Sequence, residues 1–277
     1  MLPRSPIPFV KMHGSGNDFV VIRTPEPALD GVDLADFTRR VCRKGTGIGC
    51  DGVILIQPSS VADFHWHYIN ADGSDGDMCG NGAMVGARYA VEHGVAGANC
   101  TFDTAAGLVH AHVNGDQIDL QMVDAQYLGR NLLFDALPGV TFDHFMIGVP
   151  HVVGFVDDAD AVADLDSIGR AIRHDPQLHP TGANVNIVHR IDDHTIRMRT
   201  YERGVEAETL ACGTGAVCSA IAATRQINVT QPVSVKVSSG MYLTVSWTDD
   251  GDMMRDIKLS GTARIVARGE ITAEALL

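Results

Sequence analysis

Long apolar runs are missing from this chain of 277 residues. No segment approaches the roughly 20 apolar residues that a membrane-spanning helix needs. The first ten residues, MLPRSPIPFV, are too short and too rich in proline to supply the apolar region of a secretory signal. We therefore expect a soluble, cytoplasmic protein without a membrane partner.

Basic residues are also scarce, with 21 Lys and Arg against 34 Asp and Glu and a formal net charge of −13. The chain has no basic stripe that could neutralise phosphates, so we expect a small-molecule substrate and no nucleic-acid partner. The four lysines, at positions 11, 44, 236 and 258, lie in no recognisable context for a Schiff base. This argues against pyridoxal phosphate, and we expect no cofactor.

None of the six cysteines stands at the paired C-x-x-C interval that closes around zinc. The alternating pairs His65/His67 and His110/His112 are explained by strand periodicity, so we expect no metal. Four cysteines are interpreted as small buried apolar residues of a reducing compartment: Cys42, Cys50, Cys100 and Cys218. Cys79 and Cys212 remain to be explained.

Those two cysteines lie in similar segments, MCGNGAM at 78–84 and ACGTGAV at 211–217. Each segment leads into a helix-compatible run, predicted over 83–93 and 216–225, and then into a hairpin pattern whose turn contains Gly115 or Gly251. A weaker echo links Asn17 and Asn184, since each opens a strand-like run. We infer an internal duplication into two α/β domains of like topology.

A thiol at a helix N-terminus meets unpaired N–H groups and the positive end of the dipole, which predicts a pKa below the free value of about 8.5. The amides that follow the two cysteines could hold a carboxylate: Gly80, Asn81, Gly213 and Thr214. One thiolate would take the α-proton of an amino acid, and the other thiol would return one to the opposite face. The sequence thus predicts an amino-acid epimerase.

The chain resembles the diaminopimelate epimerases, cofactor-independent enzymes of lysine and cell-wall precursor synthesis. The resemblance is carried by motifs in order along the chain, at residues 11–19, 70–74, 78–82, 150–151, 182–185, 201–204 and 210–215. It implies two pseudo-symmetric domains, each a mostly antiparallel, barrel-like sheet around a central helix. It places the domains at 1–124 with 267–277 and at 125–266, in a chain that forms a homodimer.

The resemblance also implies roles for single residues at the reacting end of the substrate. Cys79 and Cys212 would be the acid/base pair, with His151 supporting the first and Glu202 placed near the second. Asn17 and the two Cys-Gly-X loops would hold the reacting end.

For the distal end, the resemblance implies that Asn70, Asn184 and Arg203 hold the second carboxylate and that Glu202 receives the second amine. Three departures bear on this end: Val149 stands where many members have asparagine, Gly52 where some have glutamine, and the segment 204–209 is one residue longer than the common form.

Other functions stay open at this stage. The first is a racemase for proline, hydroxyproline or histidine on the same fold. The second is a dithiol redox protein in which Cys79 and Cys212 form a disulfide, and the third is a binding module without turnover. The glycine–asparagine pair after Cys79 and the retention of Arg203 favour the diaminopimelate type.

Overall fold

The structure is a computed structural model that describes residues 6–277, with the backbone but not the side chain of Arg130. Residues 1–5, to which the interpretation of the first ten residues partly refers, lie outside the described residues. Within residues 6–277, no helix has both the length and the apolar character needed to span a membrane.

The chain folds into two compact units. Unit 1 is the chain up to Leu120 together with Gly261–Leu277, and unit 2 is Gln121–Ser260. These bounds lie slightly before the predicted ones at 124/125 and 266/267. The reason lies in backbone pairing, because Met122 N–H donates to Ile257 C=O in unit 2 and Ala263 already pairs with Gly14 in unit 1.

Unit 1 is a mixed sheet with a helix at its centre. Its elements are β1 (Ile7–Gly14), β2 (Asn17–Arg23), α1 (Leu34–Val41), β3 (Gly52–Gln57), β4 (Phe64–Asn70), β5 (Asp75–Gly76), α2 (Gly80–Glu92), β6 (Asn99–Thr104), β7 (Gly107–Asn114) and β8 (Gln117–Gln121). The pairs β2–β3 and β4–β6 are parallel, whereas β1–β2, β3–β4, β4–β5 and β6–β7 are antiparallel. Helix α2 packs against β1, β2, β3, β4 and β7, so the sheet curves around it.

Unit 2 is a closed ring of strands. Its elements are β9 (Ala125–Leu133), β10 (Thr141–Ile147), β11 (Val149–Phe155), α3 (Leu165–Arg173), β12 (Asn184–Arg190), β13 (Thr195–Glu202), β14 (Ala207–Thr209), α4 (Gly213–Gln226), β15 (Val233–Lys236), β16 (Tyr242–Asp250) and the first part of β17 (Met253–Ile271). From Gly261 onward, β17 belongs to unit 1, where it pairs with β1. Pairing runs from β9 through β10, β11, β12, β13, β15, β16 and β17 back to β9. Helix α4 packs against six of these strands and is the centre of the barrel.

The burial of α2 and α4 follows from their sequences. Both helices are apolar or small on nearly every side, and a helix of that composition is stable only when protein surrounds it. In α4 the residues Ala216, Val217 and Ile221 have no exposed surface. The described elements begin a few residues before the predicted helices, directly after each cysteine.

The internal duplication is confirmed by the order of elements. The series β1, β2, α1, β3, β4, β5, α2, β6, β7, β8 recurs as β10, β11, α3, β12, β13, β14, α4, β15, β16 and the start of β17, with the parallel pairs in the same places. The weaker echo between Asn17 and Asn184 is wrong, because Asn17 opens β2 whereas Asn184 opens β12, the counterpart of β3. The two turn glycines, Gly115 and Gly251, have φ of +61° and +66°, as hairpin turns require.

Candidate active site

In unit 1, Cys79 caps the N-terminus of α2 with an extended backbone. Its sulfur accepts the N–H of Gly82 at 3.5 Å and lies 3.6 Å from Asn17 Oδ1. Gly80 and Asn81 form the first turn of the helix, and Asn81 is buried. The structure thus brings four predicted residues together at the start of α2.

Asp51 also belongs to this cluster, and sequence reasoning missed it. Its carboxylate accepts from Asn17 Nδ2 at 2.6 Å and from the N–H of Asp18 at 3.1 Å. Because Asn17 Nδ2 donates to Asp51, the amide oxygen of Asn17 faces the Cys79 thiol and can accept a hydrogen bond from it. The sequence indicates Asp51 only through its position directly before Gly52, one of the three departures from the family pattern.

In unit 2, Cys212 occupies the N-cap position of α4 with the same extended backbone, and Gly213 and Thr214 lie in the first turn. The Cys212 sulfur lies 3.6 Å from the hydroxyl of Thr214. Burial, reinforced by the negative charge of Glu202, raises the pKa of the Cys212 thiol well above its ordinary value, although the donors at Thr214 and Gly215 act in the opposite direction. The predicted low thiol pKa is therefore wrong for Cys212.

Glu202 is the last residue of β13, and its carboxyl interacts with the Cys212 thiol. Burial raises the pKa of its carboxyl, while hydrogen bonds from Thr209 and from the Cys212 thiol partly oppose the shift. A buried carboxyl and a buried thiol with raised pKa values share one local environment. The hydrogen bond from the Cys212 thiol to the Glu202 carboxyl gives a proton a direct path between the two groups.

His151 lies on β11 and has no exposed surface. Burial, followed by the positive charge of Arg203, lowers its pKa to about 3, so the ring is neutral. Its Nε2 lies 2.9 Å from Thr214 Oγ1, and Thr214 contacts Cys212. The structure thus links His151 to the start of α4, whereas its support of Cys79 stays a prediction.

The residues predicted for the distal end fall in both units. In unit 2, Asn184 Oδ1 accepts the N–H of Arg203 at 2.8 Å, which ties the start of β12 to the turn after β13. In unit 1, Asn70 donates to the hydroxyl of Ser74 at 3.2 Å within the turn between β4 and β5. Val149 opens β11, two residues before His151.

The turn that carries Arg203 is fastened by Glu206, which the sequence interpretation had assigned no role. Glu206 adopts a left-handed backbone conformation, with φ of +59°. Its carboxylate accepts from Gly204 N–H, Tyr201 O–H and Arg173 Nε at 2.9–3.1 Å. Although desolvation raises its pKa, these donors together with the charge of Arg173 lower it to about 2.

Glu206→Gln is expected to destabilise unit 2 at neutral pH and to raise KM more than it lowers kcat, because Arg203 loses its fixed turn. A lowered folded-state pKa stabilises the fold above the unfolded value of about 4.3, and this contribution disappears as the pH falls toward about 2. Thermal unfolding of the wild type and the variant should therefore differ at pH 7 and converge near pH 2. A constant difference across this range would contradict the assignment.

The remaining cysteines have the predicted burial: Cys42, Cys50, Cys100 and Cys218 are at most 7% exposed. The alternating histidines pair with polar neighbours on adjacent strands, His65 with Asp103 at 2.6 Å and His112 with Asn99 at 2.7 Å. Among residues 6–277, no group of three or more His, Cys, Asp or Glu side chains could hold a metal ion.

Comparison with known proteins places these features in a family. The sequence model described as diaminopimelate epimerase matches residues 9–128 and 144–266. A diaminopimelate epimerase of Aquifex aeolicus is 39% identical over 279 residues, covering 97% of this chain and 99% of that protein.

Two solved structures share the fold. A probable proline racemase from Agrobacterium radiobacter has a TM-score of 0.70 and 18% identity, covering 96% of this chain and 93% of its own. A hydroxyproline epimerase from Agrobacterium vitis has a TM-score of 0.70 and 17% identity, covering 98% of this chain and 94% of its own.

The duplicated fold, with a cysteine at the start of each central helix, defines the class of the protein: a two-domain α/β fold found among amino-acid racemases and epimerases. The sequence comparisons then define the family. The chain belongs to the diaminopimelate epimerase family.

Proposed function

We propose that this protein is an isomerase that inverts one α-carbon of diaminopimelate, from the LL to the meso form, without a cofactor, in lysine and cell-wall precursor synthesis. The observation that carries the proposal is the cysteine at the N-cap of both central helices. A thiol at the N-cap of a helix, next to the N–H groups of the first turn, combines an acid/base group with an anion site.

The proposed mechanism uses both cysteines at one carbon. The thiolate of one removes the α-proton, and negative charge flows onto the α-carboxylate. The amides of the two Cys-Gly-X turns (Gly80, Asn81, Gly213, Thr214) and the Asn17 side chain stabilise that charge as it develops. The thiol of the other cysteine then delivers a proton to the opposite face, and the roles exchange in the reverse reaction.

Glu202 gives Cys212 access to both roles. With its raised pKa, Cys212 is a thiol near neutral pH and is ready to donate a proton. To act as a base it first transfers its own proton to Glu202, whose raised pKa makes that carboxylate a better acceptor. His151, which is neutral, supports the site through hydrogen bonds rather than through charge.

The proposed substrate has a second amino-acid end. Arg203 can bind its carboxylate through two parallel hydrogen bonds, assisted by Asn70 and Asn184, and Glu202 can receive its amine. These groups favour diaminopimelate over proline, hydroxyproline or histidine, which have no second carboxylate. The likeness to the proline and hydroxyproline enzymes, at 17–18% identity, concerns the fold alone.

Incubation with LL-diaminopimelate in deuterated water tests the proposal. We expect meso product, with deuterium at one α-carbon, and no exchange in L-proline, trans-4-hydroxy-L-proline or L-histidine under the same conditions. Mass spectrometry and chiral chromatography follow both results. Exchange confined to one of the other amino acids would overturn the substrate assignment while leaving the two-base chemistry intact.

We further propose that the protein is a cytoplasmic homodimer. Members of this family are expected to pair, and the chain has the acidic composition of an intracellular enzyme, with 34 Asp and Glu against 21 Lys and Arg. Light scattering coupled to size exclusion should give twice the 29.6 kDa of one chain. A mass of one chain at micromolar concentration would contradict the dimer.

A further inference from the structure

A buried polar cluster lies behind Cys212. His151, Asn186 and Thr200 are at most 1% exposed, and they are linked to one another and to Thr214. Asn186 Nδ2 lies 3.2 Å from His151 Nδ1, and His151 Nε2 lies 2.9 Å from Thr214 Oγ1. Thr200 donates to Asn186 Oδ1 at 2.9 Å. A buried polar group without a hydrogen-bond partner costs free energy. The donor or acceptor role of each group in such a cluster therefore restricts the role of its neighbour.

The proton on His151 can be placed from these partners. Asn186 Nδ2 donates to the carbonyl of Val152 at 3.0 Å, and a carbonyl can only accept, so this atom is the N–H₂ group. The same group faces His151 Nδ1, which therefore accepts. Because the ring is neutral, its single proton sits on Nε2.

A second amide, that of Asn184, approaches the other ring nitrogen, but its contact with Nε2 is longer than the contact between Nε2 and the Thr214 oxygen. Asn184 Nδ2 stands 3.3 Å from His151 Nε2, but it also donates to the carbonyl of Pro150 at 3.3 Å. A proton on Nδ1 would point at the N–H₂ of Asn186, whereas a proton on Nε2 finds an acceptor in the Thr214 oxygen at 2.9 Å. The Nε2–H tautomer is the one that the cluster satisfies.

This tautomer decides what the Thr214 hydroxyl does. Its oxygen accepts from His151 Nε2–H, so its own hydrogen is directed elsewhere. The Cys212 sulfur, 3.6 Å away, is the partner on the other side. A hydroxyl that donates to sulfur stabilises the thiolate over the thiol.

The duplication shows that the fold does not require this cluster. In the parallel pairs, His151 lies opposite Asn184 on β12 as Phe19 lies opposite Gly52 on β3. The counterparts of His151 and Asn186 in unit 1 are thus Phe19 and Ile54, both fully buried. The same architecture is built with an apolar pair in one unit and a polar pair in the other.

Close packing confirms the correspondence. A Cβ added to Gly82 would meet Phe19 at 3.4 Å and Ile54 at 3.5 Å, and a Cβ added to Gly215 would meet Asn186 Oδ1 at 2.5 Å and the Cys212 sulfur at 3.2 Å. Glycine at 215 therefore lets the Asn186 amide approach the turn that carries Cys212. Asn186 Oδ1 and the Cys212 sulfur thus both lie close to Gly215.

We infer that Asn186 is a positioning residue: it fixes His151 as the Nε2–H tautomer, which turns the Thr214 hydroxyl into a hydrogen-bond donor to the Cys212 sulfur. The inference rests on the proposed function in taking Cys212 as an acid/base group. It assigns no contact with substrate to Asn186. The other ionisable groups that act on this site are Glu202 and Cys218 on Cys212, and Arg203 and His144 on His151.

The tautomer is measured by NMR of protein labelled with ¹⁵N in its 12 histidines. The NMR signal of His151 is identified as the one that disappears in His151→Phe. Phenylalanine is chosen because Phe19 is the counterpart of His151 in unit 1. We expect a protonated Nε2 and an unprotonated Nδ1 in the wild type, and both tautomers in Asn186→Leu. A proton on Nδ1 in the wild type would overturn the inference, whether or not diaminopimelate is the substrate.

The consequence for sulfur is measured by alkylation of Cys212 with iodoacetamide across pH, in a Cys79→Ser background and with the site located by mass spectrometry. Asn186→Leu and Thr214→Val should each raise the midpoint by about one pH unit, since the thiolate loses a donor. Thr214→Ser keeps the hydroxyl and should keep the wild-type midpoint. An unchanged midpoint in Thr214→Val would refute the donor role even if Asn186→Leu failed to fold.

With the wild-type cysteines, Asn186→Leu should lower kcat by on the order of tenfold with KM within about twofold, because the lost bond acts on the sulfur and not on bound substrate. A rise in KM at constant kcat would instead mean that Asn186 shapes the binding site. Loss of all activity with an unchanged thiol titration would show general disruption and would contradict the positioning role.

Discussion

Cys79→Ser and Cys212→Ser are each expected to slow the conversion of LL- to meso-diaminopimelate by on the order of 10²–10⁴-fold. A serine hydroxyl is a far weaker acid than a thiol, so the variant lacks either the base that takes the α-proton or the acid that returns one. Chiral chromatography of the product measures the rate, and deuterium incorporation measures proton removal separately.

The chain offers a matched control for each cysteine. Cys218 lies on the same helix as Cys212, and Cys100 lies in the same unit as Cys79; both are buried at 4% exposure or less. Cys218→Ala and Cys100→Ala should keep the rate within about twofold. If either serine variant inverted the α-carbon at the wild-type rate, the two-base mechanism would be wrong and a dithiol redox function would gain support.

The central helices and their hairpins could be predicted because local signals agree there. A cysteine followed by glycines opens each helix, small and apolar residues fill it, and turn glycines close the hairpins downstream. These signals occur twice in the same order, so the sequence also predicts the duplication that the strand pairing confirms.

The alignment of the two halves could not be predicted from such signals. The asparagines Asn17 and Asn184 look alike in sequence, yet they open β2 and β12, which are not counterparts. The true counterpart of Asn184 is Gly52, a pairing visible only in strand register. Glycine and asparagine do not resemble each other, so sequence similarity does not reveal this pairing.

The groups around the cysteines were also hidden from sequence. Asp51 orients Asn17 over 34 positions of chain separation, and Asn186 meets His151 over 35. Contacts of this kind depend on which strands adjoin. The thiol pKa of Cys212 was misjudged because helix-terminus effects are local, whereas burial and the charge of Glu202 come from the folded barrel.

Glu202→Gln should have two effects of opposite sign. The rate of epimerisation should fall by on the order of 10²-fold, because glutamine cannot accept the Cys212 proton. Alkylation of Cys212 should become easier, with the pH midpoint lowered by about one unit or more, because the negative charge that raises the thiol pKa is gone. A thiol that is more readily ionised but less able to catalyse identifies Glu202 as a proton acceptor.

The control for this pair of measurements is Glu270→Gln, an exposed glutamate on β17 that should change neither quantity. A slower reaction with an unmoved or higher alkylation midpoint would mean that Glu202 does not act on Cys212 and contributes through substrate binding instead, which a raised KM would reveal. The distinction matters because Glu202 is proposed to serve both the thiol and the distal amine. A lower kcat together with a lowered pH midpoint of Cys212 alkylation would show that Glu202 acts mainly on the thiol.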